Sequence, residues 1–111
     1  VFFDCVRYGA AVAATKVRDA VKYAGNDCMI TEEVDRSGLW QIQTPQAFVP
    51  EIIKAALTRA IAEKKEYTDD CAAVEAMGVK VHLSKGSPEN IKITGPVDIP
   101  TAEAILKTRR E

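Results

Sequence analysis

Four side chains along this sequence have the chemistry to hold an anion: Arg36, Thr44, Thr68 and Lys92. A guanidinium grips a phosphate through two parallel hydrogen bonds, an ammonium acts as a compact point charge, and a threonine hydroxyl donates to an oxyanion. Each of the four falls at the edge of a predicted element, in a loop or at a strand end, where open α/β sheets place their ligands. Taken singly, each has a plainer explanation. Arg36 reads as a surface ion-pair partner, Thr68 as a helix N-cap and Lys92 as an exposed strand residue. Spacing alone does not bring them together. Asp69 and Asp70 offer carboxylates to a metal, but acids in a first helical turn are the better reading. Trp40 reads as packing rather than as a platform for a base.

Three elements carry these residues. Asp35 to Phe48, DRSGLWQIQTPQAF, reads as a loop containing one short extended piece, because the Thr44-Pro45 step disfavours helix. Thr68 caps a helix that continues through CAAVEAMG and stops at Gly78. NIKIT, Asn90 to Thr94, alternates as a strand with Ile91 and Ile93 inward, and VKVHLS from Val79 to Ser84 alternates in the same way.

The rest of the chain supplies the scaffold. GAAVAATKV, Gly9 to Val17, suits a central strand covered on both faces. Ala20 to Val34 reads as a hairpin with a three-residue loop at Gly25, Asn26 and Asp27, projecting toward a partner. Pro50 opens a helix whose Ile52, Ile53, Ala56, Leu57, Ala60 and Ile61 form one buried stripe. A last helix, VDIPTAEAILKT, turns Ala102, Ile105 and Leu106 inward. Strands alternating with helices predict an α/β fold with a mainly parallel sheet.

Composition limits the function classes. The 111 residues, 47% apolar and 28% charged, match one ordinary globular domain that buries roughly 65% of its unfolded surface. A net charge of -1 provides no global basic field for nucleic acid or an anionic membrane. No apolar stretch is long enough to span a bilayer. Cys5, Cys28 and Cys71, with His82 as the one histidine, encode neither a disulfide framework nor a zinc site, and are expected as reduced structural thiols. Gly-rich phosphate loops, HExxH and GxSxG are absent. The chain starts at Val1 within VFFDCVRY, the end of an amphipathic helix, and is expected to be a piece of a longer protein.

DRSGLWQIQTPQAF, TDDCAAVEAMG and GSPENIKIT, in this order and separation, closely resemble the 2-C-methyl-D-erythritol 4-phosphate cytidylyltransferase family of non-mevalonate isoprenoid biosynthesis. The resemblance runs from about Gly9 to the end. It implies part of a Rossmann-like sheet flanked by helices, with residues 1–111 as the C-terminal portion of one domain and 18–36 as a dimerisation arm. It also implies transfer of CMP from CTP to methylerythritol phosphate with release of pyrophosphate, in a homodimer of the cytoplasm, or of the plastid if the source is a plant. Lys92 resembles the family lysine near the reacting phosphates. Thr68 and Thr44 resemble threonines that contact the methylerythritol phosphate, Arg36 an arginine sent across the dimer to the substrate phosphate, and Asp19 a substrate contact in the family's PVxDTxK segment. Lys16 stands where that segment has proline, and Ala20 where it has a phosphate-binding threonine.

The family's Gly-rich loop around CTP is not in this chain, which by itself is expected to turn over negligibly. Magnesium would come on the triphosphate, and no ligand set for it is evident. Two other readings share some of these signals. A pentitol-phosphate cytidylyltransferase shares QTPQ and NIKIT, and a non-catalytic dimerisation fragment would keep the fold without activity.

Overall fold

The computed structural model describes residues 1–110; Glu111, the last residue of the span assigned above, lies outside them. Helix α1 (Phe2–Tyr8) ends at Gly9, whose φ of 88° turns the chain directly into β1 (Ala10–Lys16). This strand is the centre of the molecule. Ala10, Ala11, Val12, Ala13 and Ala14 are all buried, as a run of small apolar residues covered on both faces should be. Alanine at four of these five positions lets helices approach the sheet closely.

Hairpin strands β2 (Lys22–Ala24) and β3 (Ile30–Glu33) form a separate two-stranded sheet in which every residue is exposed, so the projecting arm is present. Its turn is longer than the three residues expected. Ala24 pairs with Ile30, and Gly25 to Met29 close the turn through Gly25 N–H to the Met29 carbonyl at 3.0 Å. At the base, Val34 N–H reaches the Val21 carbonyl at 2.9 Å and Val17 N–H reaches that of Leu39 at 3.3 Å.

After a 3₁₀ turn at Arg36–Gly38, strand β4 (Trp40–Phe48) runs antiparallel to β1 for nine residues. The segment expected to be mostly loop is therefore mostly strand. Its regular alternation is broken by a bulge: Val12 pairs with Gln46 and Ala14 with Ile42, so Ala13 faces the three residues Gln43, Thr44 and Pro45. Proline, which has no N–H for the ladder, is accommodated at such a place, and Thr44 precedes it through a cis peptide bond.

Helix α2 (Pro50–Glu63) starts at Pro50 as expected and buries Ala56, with Ile52 and Ile53 partly covered. Its apolar stripe is shorter than expected, for Leu57 and Ile61 lie exposed. Helix α3 (Asp70–Glu75) buries Cys71, Ala73 and Val74, and Ala10, Ala56, Ala73 and Val74 make one core cluster. Strand β5 (His82–Lys85) then pairs parallel to β1 on the side opposite β4, giving the order β4-β1-β5. The sheet is thus mixed rather than mainly parallel, within the α/β class expected. Val79 and Val81 pack on the core just before β5.

Residues 90–94 are not a strand. They lie beside β4, tied to it by the Gln43 and Asn90 side chains and not by a backbone ladder; Ile93 is exposed. The Asp98 carboxylate instead accepts the Thr94 and Gly95 amides and opens α4 (Asp98–Arg110), in which Ala102 and Ile105 are partly buried but Leu106 is exposed. The Ser84 hydroxyl donates to Asp4, and Tyr8 stacks on His82 with ring centroids 4.1 Å apart, tying α1 to β5.

Candidate functional site

The β4 bulge, the residues leading into α3 and the segment after β5 converge on one open cavity of about 580 Å³. Thr44 comes from the bulge, Thr68 from the turn before α3 and Lys92 from the irregular segment, and all three line it. Side chains 24 residues apart or more in sequence meet because β4 and the 90–94 segment lie side by side. All three are exposed, and so within reach of a ligand.

Thr68 is not the cap of α3. That place is taken by Asp69, whose Oδ1 accepts the Ala72 N–H at 2.8 Å, so the helix starts one residue later than expected. A carboxylate at the N-cap meets both the unpaired N–H and the positive end of the helix dipole, which favours Asp69 over the neighbouring threonine. The shift leaves the Thr68 hydroxyl outside the cap and at the cavity. Asp70, the other acid weighed as a metal ligand, is a first-turn residue. Among the described residues no three Asp, Glu, His or Cys side chains converge as a metal cage.

Polar side chains that the sequence reading passed over hold these walls together. Gln46 Nε2 donates to Asp69 Oδ2 at 3.1 Å, while its Oε1 accepts the Cys71 N–H at 3.3 Å, which locks the start of α3 to β4. Gln43 Nε2 donates to the carbonyls of Ser87 and Asn90 at 2.8 and 3.1 Å, and Asn90 Nδ2 donates to the Thr44 carbonyl at 2.6 Å. The available signal was QxxQ around Thr44-Pro45: two glutamines on opposite sides of a proline that must interrupt a strand. The Cys71 thiol behind this wall is pushed up to about 11 by burial, reinforced by Glu75 and Asp69, and is unreactive at neutral pH.

Arg36 and Asp19 are not part of this cavity. Arg36 lines a different depression with Glu33, Val34, Asp35 and Ser37 at the base of the arm, and its guanidinium donates to the Arg18 carbonyl of its own chain. Asp19 is exposed at the start of the arm. Lys16 holds its ammonium 5.7 Å from the centroid of the Trp40 ring, and both line another cavity, of about 450 Å³, beside Arg18 and Lys85. Trp40 is thus the first residue of β4, exposed at this cavity, and not a residue packed in a loop.

A family model described as 2-C-methyl-D-erythritol 4-phosphate cytidylyltransferase matches residues 4–108. Proteins of that name from Pelotomaculum thermopropionicum and Thermosynechococcus vestitus are 47% and 40% identical over 103 and 104 residues. The matches take in 93% and 94% of this chain but 43% and 44% of those proteins, so the chain spans less than half the length of these relatives. That extent does not support placing the chain as the C-terminal half. Among solved structures, the Thermus thermophilus enzyme of the same name superposes with a TM-score of 0.84 at 31% identity, over 95% of this chain and 52% of that one. The 4-diphosphocytidyl-2C-methyl-D-erythritol synthase of Anaerococcus prevotii gives 0.81 at 34% identity, over 95% and 49%.

Proposed function

This chain belongs to the 2-C-methyl-D-erythritol 4-phosphate cytidylyltransferase family, and from that membership we propose that its Thr44–Thr68–Lys92 cavity receives the acceptor phosphate in a cytidylyl transfer. The reaction joins two polyanions. An oxygen of the methylerythritol phosphate attacks the α-phosphorus of CTP in line, the bond to the bridging oxygen breaks, and pyrophosphate leaves. Charge builds on the equatorial oxygens, so positioning and cationic stabilisation are the catalytic tasks and no covalent intermediate is needed.

Within that reading each side chain has a role. Thr44 and Thr68 donate hydroxyl hydrogen bonds to the acceptor phosphate and orient its attacking oxygen. Lys92 places a point charge beside the transferring group. Magnesium enters only as the ion carried on CTP, and no step is assigned to a metal held by these residues. Arg36 reaches a substrate phosphate from the arm of a second copy, and Asp19 lies on the same path at the arm's start. The arm, residues 18–36, is the contact of the homodimer. Exposure of all its strand residues supports that partner. Sedimentation showing a monomer at every concentration up to hundreds of micromolar would remove the dimer from the proposal.

The observation that carries the reading is the meeting of Thr44, Thr68 and Lys92 at one cavity. Titration of the ¹⁵N-labelled chain with 2-C-methyl-D-erythritol 4-phosphate tests it directly. Expected are saturable shifts at the amides of Thr44, Thr68 and Lys92, lost in Lys92→Ala. Equal shifts with inorganic sulfate, or none at millimolar ligand, would overturn it.

A further inference from the structure

Gly86 closes β5, and its amide donates to the Ala14 carbonyl at 2.8 Å, so the chain turns against the end of β1. A methyl group built on its Cα would overlap Gln43 Oε1 and lie 3.1 Å from the Ala14 carbonyl oxygen. The side chain missing at Gly86 is therefore the space that the Gln43 carboxamide occupies. From that space Nε2 reaches two carbonyls of the next turn, those of Ser87 and Asn90. Asn90 returns the contact through Nδ2, to the Thr44 carbonyl at 2.6 Å and to Gln43 Oε1 at 3.5 Å. The turn is also closed on itself, by the Asn90 amide on the Ser87 carbonyl and the Glu89 amide on the Ser87 hydroxyl.

We infer that Gln43, Gly86 and Asn90 are positioning residues that fix turn 87–90 on the β4 bulge and so set Lys92 against Thr44 before a ligand enters. The inference rests on the proposed role of Lys92 and Thr44, and its physical basis is preorganisation. Residues 86–94 belong to no ladder or helix; besides these bonds they are held by the exposed Glu89–Arg109 ion pair at 3.0 Å, which solvent weakens, and at their end by Asp98 on the Thr94 amide. If the ligand had to order the turn itself, apparent affinity would fall in proportion to the fraction of chains in the competent state. Gly86 is needed for room, not for backbone freedom, so alanine there acts by evicting the Gln43 carboxamide.

Four variants test this in the intact chain: Gln43→Ala, Gly86→Ala, the double variant, and Gln43→Glu, which keeps the shape but turns a carboxylate toward two carbonyls. Val74→Ala, which loosens the core away from the turn, controls for general loss of stability. Two readouts are taken where far-UV circular dichroism shows each variant folded. They are hydrogen exchange at the Asn90 and Ile91 amides of the free chain, and the dissociation constant for 2-C-methyl-D-erythritol 4-phosphate. Each single change is expected to speed exchange and weaken binding about tenfold, as a competent fraction of roughly a tenth requires. The double variant should be no worse than Gly86→Ala, because both remove one interaction. Val74→Ala should leave the ratio of Asn90 exchange to core exchange, and the affinity, unchanged. Additive losses, Gln43→Glu behaving as wild type, or unaltered exchange in the free chain would overturn the inference. Failure of wild type to bind the ligand would instead sink the proposed function, with the free-chain exchange still deciding whether the clamp exists.

Discussion

Asp69 joins the capping of α3 to the wall that carries Thr68, and its removal should separate two contributions that alanine alone would mix. Oδ1 accepts the Ala72 N–H and Oδ2 accepts Gln46 Nε2. In Asp69→Ala both acceptors vanish. Loss of an N-cap costs about 1 kcal/mol. Loss of the Gln46 bond, to a charged but half-exposed partner, adds about 0.5–1 kcal/mol, discounted from the value for a buried charged acceptor. The total is about 1.5–2 kcal/mol, a drop of roughly 6–12 °C in Tm for a domain of this size.

Asp69→Asn discriminates. Its carboxamide oxygen keeps the cap, but its NH₂ then faces Gln46 Nε2, donor against donor. Flipping Gln46 does not help, because Nε2 would then meet the Cys71 N–H that Oε1 now accepts. Asparagine should therefore cost only the second contribution, about 0.5–1 kcal/mol. Thr68→Val, outside the cap, should stay within about 0.5 kcal/mol of wild type. Urea unfolding followed by far-UV circular dichroism at pH 7 measures all three. Equal losses for asparagine and alanine, or a Thr68→Val loss as large as that of Asp69→Ala, would refute the assignment of the cap.

Three further outcomes follow from local chemistry. A thiol reagent should modify exposed Cys28 in the folded chain and reach Cys71 only on unfolding, since burial of that thiol pushes it up to about 11; equal rates for all three cysteines would contradict this. Hydrogen bonds hold three carboxyls below the ordinary value: Asp98 through the Thr94 and Gly95 amides, Asp35 through Ser37, and Asp4 through the Ser84 hydroxyl with a weaker pull from His82. Because their folded pKa values are lowered, their stabilisation is full above the ordinary carboxylate value near about 4 and is lost as pH falls through the lower folded values; Asp98→Asn should flatten that acid limb in a pH series of urea midpoints. Gly9→Ala places a side chain at φ 88° with its Cβ 3.2 Å from Ile52 Cδ1, and should cost about 1–2 kcal/mol or more by the same unfolding assay.

How far the fold was legible depended on whether the deciding signal was local. Small apolar residues from Ala10 to Ala14 suit a strand covered on both faces, and Pro50 followed by apolar residues at helical spacing suits the opening of a helix; both appear as read. NIKIT satisfied the alternation of a strand and is none: beside β4 its segment is held by the Gln43 and Asn90 side chains and not by a backbone ladder, and alternation alone does not say whether a ladder forms. The opposite failure occurred at Trp40–Phe48. Three residues opposite one on β1 shift the alternation partway along, so a strand with a bulge looks irregular in sequence. Ile61 and Leu106 carried the right spacing for burial yet stay exposed, since periodicity names a face without saying whether another element covers it.

The candidate site divides along the same line. Thr44, Thr68 and Lys92 were picked out individually by residue type and position, and by resemblance as a group, but only the fold brings them to one cavity. What the sequence could not show was the framework between them. Gln43, Gln46, Asn90 and Asp69 are ordinary polar residues whose partners lie 3 to 47 positions away, and their roles depend on carboxamide orientation rather than on any motif. The Arg36 guanidinium is engaged by the Arg18 carbonyl at the point where the arm leaves and rejoins the body, which stiffens the arm's base and keeps the arginine off its own cavity. If Arg36 serves a phosphate from a second copy, that bond must be exchanged or shared on dimerisation. Arg36→Lys, which keeps the charge but loses the planar fork, should then impair the assembled dimer while leaving phosphate shifts at Thr44, Thr68 and Lys92 of the separate chain unchanged.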